Sequence, residues 1–211
     1  MTVGGALKAA LRDLYEHSWR LFLLNLALSA VAAAALLAGS YATPALLLLV
    51  GVGPFAAALM HCAVTVQQTD ELRMGDAVAG LRLHWRRGLA LGALVAVASV
   101  LIVASLSFYS YRAWPVAILS FYVALMFGVW QIHLWPLAVA RRRERFADVL
   151  RDAGVGLVRR PFASIGLAFV LLLVNAAGAI GVLPVLTLTI AYSALAAAHF
   201  VLPPPPEEAT T

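Results

Sequence analysis

The chain has 211 residues, of which 63% are hydrophobic and 12% charged, with a formal net charge of +5. A soluble domain carries about twice that share of charge, and no aqueous fold of this size could hide so much apolar surface, so the composition excludes a water-soluble globule and makes the bilayer the solvent. The basic excess does not imply nucleic acid as a partner, because the arginines sit in short stretches between apolar runs, where they set orientation in a membrane.

In chain order, the N-terminal segment comes first. Leu7, Leu11, Leu14 and Ser18 fall on one helical face. Asp13 and Glu16 make this segment too acidic, and its length too great, for the lead of a cleaved signal. The first apolar run, 21–38, is therefore expected to be an uncleaved membrane helix. Five more follow, at 44–66, 88–107, 114–140, 162–177 and 184–201. A helix rising 1.5 Å per residue needs about 20 residues to cross the hydrocarbon, so the reading is an all-α polytopic protein with six transmembrane helices. The runs do not alternate polar and apolar residues, which excludes an outer-membrane barrel. A proline run, Pro203–Pro206, followed by Glu207 and Glu208, reads as an extended, disordered tail over 203–211. The preceding 1–202 form a single membrane domain.

Charge distribution orients these spans. The N-terminus, the 67–87 and 141–161 segments and the C-terminus hold fourteen of the fifteen basic residues and all ten acidic ones; Arg112 alone lies on the other side. Positive charge stays in the cytoplasm, so both termini are expected inside, in a bacterial cytoplasmic membrane. The outer loops, 39–43, 109–113 and 178–183, are too short to form a domain.

An internal repeat runs through the basic segments. Met74, Val78, Leu81 and Trp85 form one helical stripe, and Phe146, Leu150, Ala153 and Leu157 repeat it 72 residues later, with Arg73, Asp76 and Arg87 matching Arg145, Asp148 and Arg159. Leu7, Leu11, Leu14 and Ser18 give the first of three such stripes in chain order, with Arg20 in the place of Arg87. Amphipathic helices of this kind lie in the membrane interface, apolar side down. Units 1–66, 67–140 and 141–202 then each comprise one interfacial helix and two spans, in a parallel threefold repeat. The second span of each unit starts near a proline and carries one histidine toward its inner end: Pro44 with His61, Pro115 with His133, and Pro184 with His199.

Those histidines are the sharpest candidate site. Around a pseudo-threefold axis His61, His133 and His199 would converge, and three imidazoles can bind a metal or relay protons. The plainer reading gives each one a carbonyl partner or a place among headgroups, since no carboxylate lies within the spans to orient them. Asn25 and Asn175 are polar groups inside spans, suited to hydrogen bonds between helices. Gly88, Gly92 and Ala96 form a ridge that permits close helix approach. Gly51, Gly53 and Pro54 interrupt the second span, as a kink or as a broken helix that opens backbone to a ligand. Trp135, beside Pro136, reads as an interfacial anchor, and Cys62 as a packing residue.

No charged residue lies in the middle of a span, where ion-coupled transporters need one, and no phosphate-cradling loop, paired-cysteine metal site or nucleophile elbow is present. The expectation is a protein without enzymatic activity, without a cofactor, and with the lipid bilayer as its first partner. Asn25, Gly53-Pro54-Phe55, His84-Trp85-Arg86-Arg87, Trp135-Pro136-Leu137 and Arg160-Pro161-Phe162 together resemble the YesL-like family of bacterial integral membrane proteins, over about 14–201. That resemblance implies an accessory or scaffold role beside a transporter or glycan-handling system. The alternative is a channel or carrier for a small uncharged solute.

Overall fold

The computed structural model describes residues 2–41, 50–180 and 183–203, which form seven α-helices and no strand. They are α1 (Val3–Tyr41), α2 (Val52–Thr69), α3 (Met74–Tyr109), α4 (Trp114–Ala140), α5 (Phe146–Arg159), α6 (Pro161–Ile180) and α7 (Leu183–Val201). Among the described residues three helices, α3, α4 and α6, are long and apolar enough to cross a membrane. The start of the second apolar run, 44–49, and most of the proline-rich tail lie outside the described residues.

Two of the expected interfacial helices are not separate elements. The N-terminal stripe and the first apolar run form one 39-residue helix, bent at His17, whose φ of −114° and ψ of 16° are the non-helical values inside it. The 74–85 stripe likewise continues into its span as a 36-residue helix. At 1.5 Å per residue that helix is about 54 Å long, well beyond the roughly 30 Å of hydrocarbon, so its basic first turns extend past the apolar layer. It starts where the Arg73 N–H donates to the Asp76 carboxylate at 2.7 Å, an anion at the positive helix end. The turn before it opens at Asp70, which has a φ of 56° and donates its N–H to the Val66 carbonyl at 2.9 Å; aspartate tolerates this left-handed state better than most residues.

Only the third stripe stands alone, as α5. Its apolar face packs on protein rather than lying on lipid. Val149 and Ala153 are buried, Phe146 and Leu150 pack against the core, and the helix lies mainly along α4. The stripe on α3 does the reverse: Val78 and Trp85 are exposed, while Gly80, His84, Gly88 and Leu91 form the buried face. In the first turns of α1 the buried residues are Ala6, Ala10 and Asp13, with Leu11 exposed.

The core is rich in alanine, including Ala57, Ala58, Ala63, Ala194, Ala196 and Ala198. Small side chains let helices approach closely where lipid offers no hydrophobic drive to bring them together. The closest approach is α2 on α3. A Cβ on Gly88 would stand 2.5 Å from Pro54 Cα, and one on Gly92 would stand 2.6 Å from the Val50 carbonyl oxygen and 3.1 Å from Gly53 Cα. Gly53 and Pro54 therefore serve helix contact. α2 begins at Val52, immediately before them, so among the described residues they do not break it.

Beyond Gly92 in α3 and before Val129 in α4 no residue is buried. Val97, Leu101, Val103, Ile118, Leu119 and Phe121 are all exposed, so this pair forms a largely exposed apolar hairpin. Its tight turn is closed by the Ala113 N–H on the Tyr109 carbonyl at 2.9 Å. At the opposite end, the charged segments meet one another. Arg20 donates to the Leu72 carbonyl, Arg12 pairs with Asp70 at 3.5 Å, and Gln67 donates to the Pro203 carbonyl at 2.8 Å.

Candidate functional site

The polar end of the bundle is assembled from groups that sequence places far apart. α7 ends beside the first turns of α1, and His199 Nε2 donates to Asp13 Oδ2 at 2.6 Å. Asp13 is 1% exposed and also receives Arg12 Nε and Nη2 at 3.2 and 3.1 Å. Burial alone would raise the Asp13 carboxyl; the hydrogen bonds and charges of His199 and Arg12 outweigh it and hold its pKa below the usual carboxylate range. The carboxylate that orients His199 thus comes from the N-terminal extension of α1, where a search within the spans would miss it.

His133, on α4, faces the start of α6. Its Nε2 lies 2.8 Å from Ser164 Oγ, and that hydroxyl donates to the Arg160 carbonyl at 2.8 Å. With its single proton so engaged, Ser164 accepts from His133, which assigns the Nε2–H form to the imidazole. Nδ1 is turned toward α5, where a Cβ on Gly156 would stand 2.9 Å away. His61, on α2, rests against α3. Its ring centre is 5.2 Å from that of His84, and a Cβ on Gly80 would stand 2.8 Å from His61 Cδ2.

The three histidines thus have separate partners, as the plainer reading has it. Among the described residues no three His, Cys, Asp or Glu side chains gather where they would hold a metal ion. The asparagines also sit in packing positions. Asn25 is fully buried, and Asn175 Nδ2 donates to the Leu171 carbonyl at 2.8 Å and to Ser193 Oγ at 2.7 Å, tying α6 to α7. Cys62 is buried in α2.

The same end holds a polar cavity of about 410 Å³ between α4, α5 and the end of α7, lined by His133, Arg141, Asp152, Arg159, Arg160 and Phe200, among others. One wall is fixed by Arg87, whose guanidinium donates at 2.8 Å to both the Ala138 and Arg141 carbonyls and also to that of Glu144. A guanidinium holds five donors in one plane and suits such a cluster of carbonyls. Arg141 Nη1 pairs with Asp152 Oδ2 at 2.7 Å and with Glu144 Oε2 at 3.5 Å. Arg159 and Arg160 make no side-chain hydrogen bond or ion pair with the described residues. Sequence spacing marks Arg159 only as a repeat position. Its place in a cavity depends on how α5 docks.

An apolar groove of about 530 Å³ runs between α4 and α6, lined by Met126, Val129, Phe169 and Leu172, with Asn175 and Ser193 in its wall. Comparisons with protein-family models, curated proteins and solved structures find no match to the chain.

Proposed function

We propose that the chain is a six-span protein of a bacterial cytoplasmic membrane, with both termini inside. It acts as a non-enzymatic accessory or scaffold for a transporter or glycan-handling partner. The observation that carries the reading is the outer part of α3 and α4. This hairpin leaves apolar and aromatic side chains exposed, including Phe108, Trp114, Phe121 and Tyr122. Meanwhile the polar groups of the bundle hold its helices together through Asp13–His199, His133–Ser164 and Asn175–Ser193. A large apolar patch free of its own protein is the usual mark of a lipid or partner contact. The resemblance of the Gly53-Pro54-Phe55 and Trp135-Pro136-Leu137 motifs to the YesL-like family points to the same role.

The parallel threefold repeat belongs to this reading and has support in the contacts. Each histidine closes the second span of one unit and meets the amphipathic segment of the next: His61 on Gly80, His133 on Gly156, and His199 on Asp13 of the first unit. The third contact returns to the start, as a ring of three units requires.

A photo-crosslinking residue in place of Phe121, in native membranes, tests the role. It should join the chain to an identified transport or glycan-handling protein, and the same residue in place of buried Leu195 should not. A chain that crosslinks to lipid alone and whose deletion leaves neighbouring transport unchanged would overturn the proposal. The carrier reading draws on the groove beside Asn175 and Ser193. Flux of a small uncharged solute in proteoliposomes, lost in Asn175→Leu, would favour it instead.

A further inference from the structure

The amphipathic segments of α1, α3 and α5 end on arginines at matching positions: Arg20, Arg87 and Arg159. The first two are engaged by main-chain carbonyls, Arg20 by that of Leu72, and Arg87 by those of Ala138, Arg141 and Glu144. The third is not. Arg159 lines the open cavity beside Phe200 and Val201 at the end of α7, with Arg160 next to it. Neither bonds a described side chain or carbonyl, so where the other two arginines close onto carbonyls the third leaves a space of about 410 Å³. Small-ligand pockets span about 300–1,000 Å³.

The chemistry of the lining selects the ligand class. Three arginines face one carboxylate, Asp152, and that carboxylate is already engaged by Arg141 at 2.7 Å. Two guanidinia are therefore left without a counter-charge. α6 begins at Pro161 and α5 ends at Arg159, so two opposite helix ends meet here and the guanidinia themselves set the field. Guanidinium groups match a phosphate oxyanion in charge and in their forked donor arrangement. Leu137, Val155 and Phe200 give the cavity an apolar wall, which suits the carbon skeleton carrying the phosphate.

We propose that the cavity between α4, α5 and the end of α7 binds a phosphate-bearing anion, gripped by Arg159 and Arg160. The phosphate comes either from an anionic lipid headgroup or from a free phosphate compound. The inference does not depend on the accessory role, since it concerns a site on this chain alone.

The test uses the full chain purified in neutral detergent or in nanodiscs. Inorganic phosphate is titrated against the detergent sample, with binding read by calorimetry. Retained phosphatidylglycerol is read by native mass spectrometry after release from nanodiscs made with phosphatidylcholine and phosphatidylglycerol. Saturable phosphate binding in detergent would identify a free anion as sufficient. Retention of phosphatidylglycerol without phosphate binding would identify the headgroup.

Either signal should weaken about tenfold or more in Arg159→Gln/Arg160→Gln, since a hydrogen bond to a charged group is worth about 1.5–3 kcal/mol. It should persist in Arg82→Gln/Arg143→Gln, which removes two exposed arginines outside the cavity. Val155→Glu keeps every arginine and places a competing carboxylate in the lining, so it should weaken binding too. Absence of both signals in the unaltered chain would overturn the site. Equal loss in the two double variants would do so as well, since it would mean only a general basic surface.

Discussion

At the scale of single residues, the Asp13–His199 contact is the most consequential. Removing one partner of a buried hydrogen bond to a carboxylate leaves the other unsatisfied, at a cost of about 1–3 kcal/mol. Asp13→Asn should therefore lower the thermal unfolding temperature of the detergent-solubilised chain well below that of Arg12→Gln, which alters only the exposed partner. The pH dependence has a definite sign. Asp13 titrates below its ordinary value in the folded chain, because His199 and Arg12 outweigh the effect of burial. Its contribution is then complete above the unfolded value of about 3.9 and is lost as pH falls through the lower folded value. The gap between the unaltered chain and Asp13→Asn should be wide at pH 7 and narrow below about pH 4. Equal unfolding temperatures at pH 7 would show that the pair adds nothing.

At the scale of elements, glycine separates two kinds of helix contact. Gly92 sits where a Cβ would meet the Val50 carbonyl oxygen at 2.6 Å, whereas Gly166 has nothing within 4 Å of the same position. Backbone cannot move aside as a flexible side chain can. Gly92→Ala should destabilise by about 1–3 kcal/mol through overpacking of α2 on α3. Gly166→Ala should stabilise by about 0.5–1 kcal/mol, because alanine costs less entropy in a helix. Thermal unfolding in one detergent compares them directly, and shifts in the same direction would contradict the contact. The amphipathic stripes show why periodicity falls short at this scale. Val78 and Trp85 repeat as regularly as Phe146 and Leu150, yet the first pair faces outward and the second packs inward. An apolar stripe specifies a face that avoids water, and both lipid and a neighbouring helix satisfy it.

For the whole molecule, the segregation of charge to one end is the organising fact. Arginines tie that end together, through Arg20 on Leu72 and Arg87 on Ala138 and Arg141. Topology can be checked by thiol labelling in a Cys62→Ala background. Tyr111 is 97% exposed, at the turn of the α3–α4 hairpin, and Tyr111→Cys should react with a membrane-impermeant reagent in intact cells. Ala147→Cys, beside Arg145 on exposed α5 surface, should react only after lysis. Labelling at 147 in intact cells would reverse the orientation.

Composition and local hydropathy by themselves determined that this chain is helical and suited to a membrane. They also placed α4 at its observed bounds of Trp114–Ala140 and put α5 on the third stripe. These properties depend on residues within a few turns of one another, and a 20-residue apolar run has no other stable solution in lipid. The fusion of the first two stripes into α1 and α3 was hidden, because Gly88 after Arg86 and Arg87 reads as a helix end, yet in the fold it is a contact position on α2 inside a continuous helix. The partners of the histidines were hidden for a different reason. His199 meets Asp13 across 186 positions, and His133 meets Ser164 across 31. Tertiary structure alone decided that the three imidazoles part company and that Arg159 lines a cavity while Arg20 and Arg87 close onto carbonyls. Such pairings follow from which small-residue faces allow two helix backbones to come within contact distance, a property of two surfaces together that neither stretch of sequence carries alone.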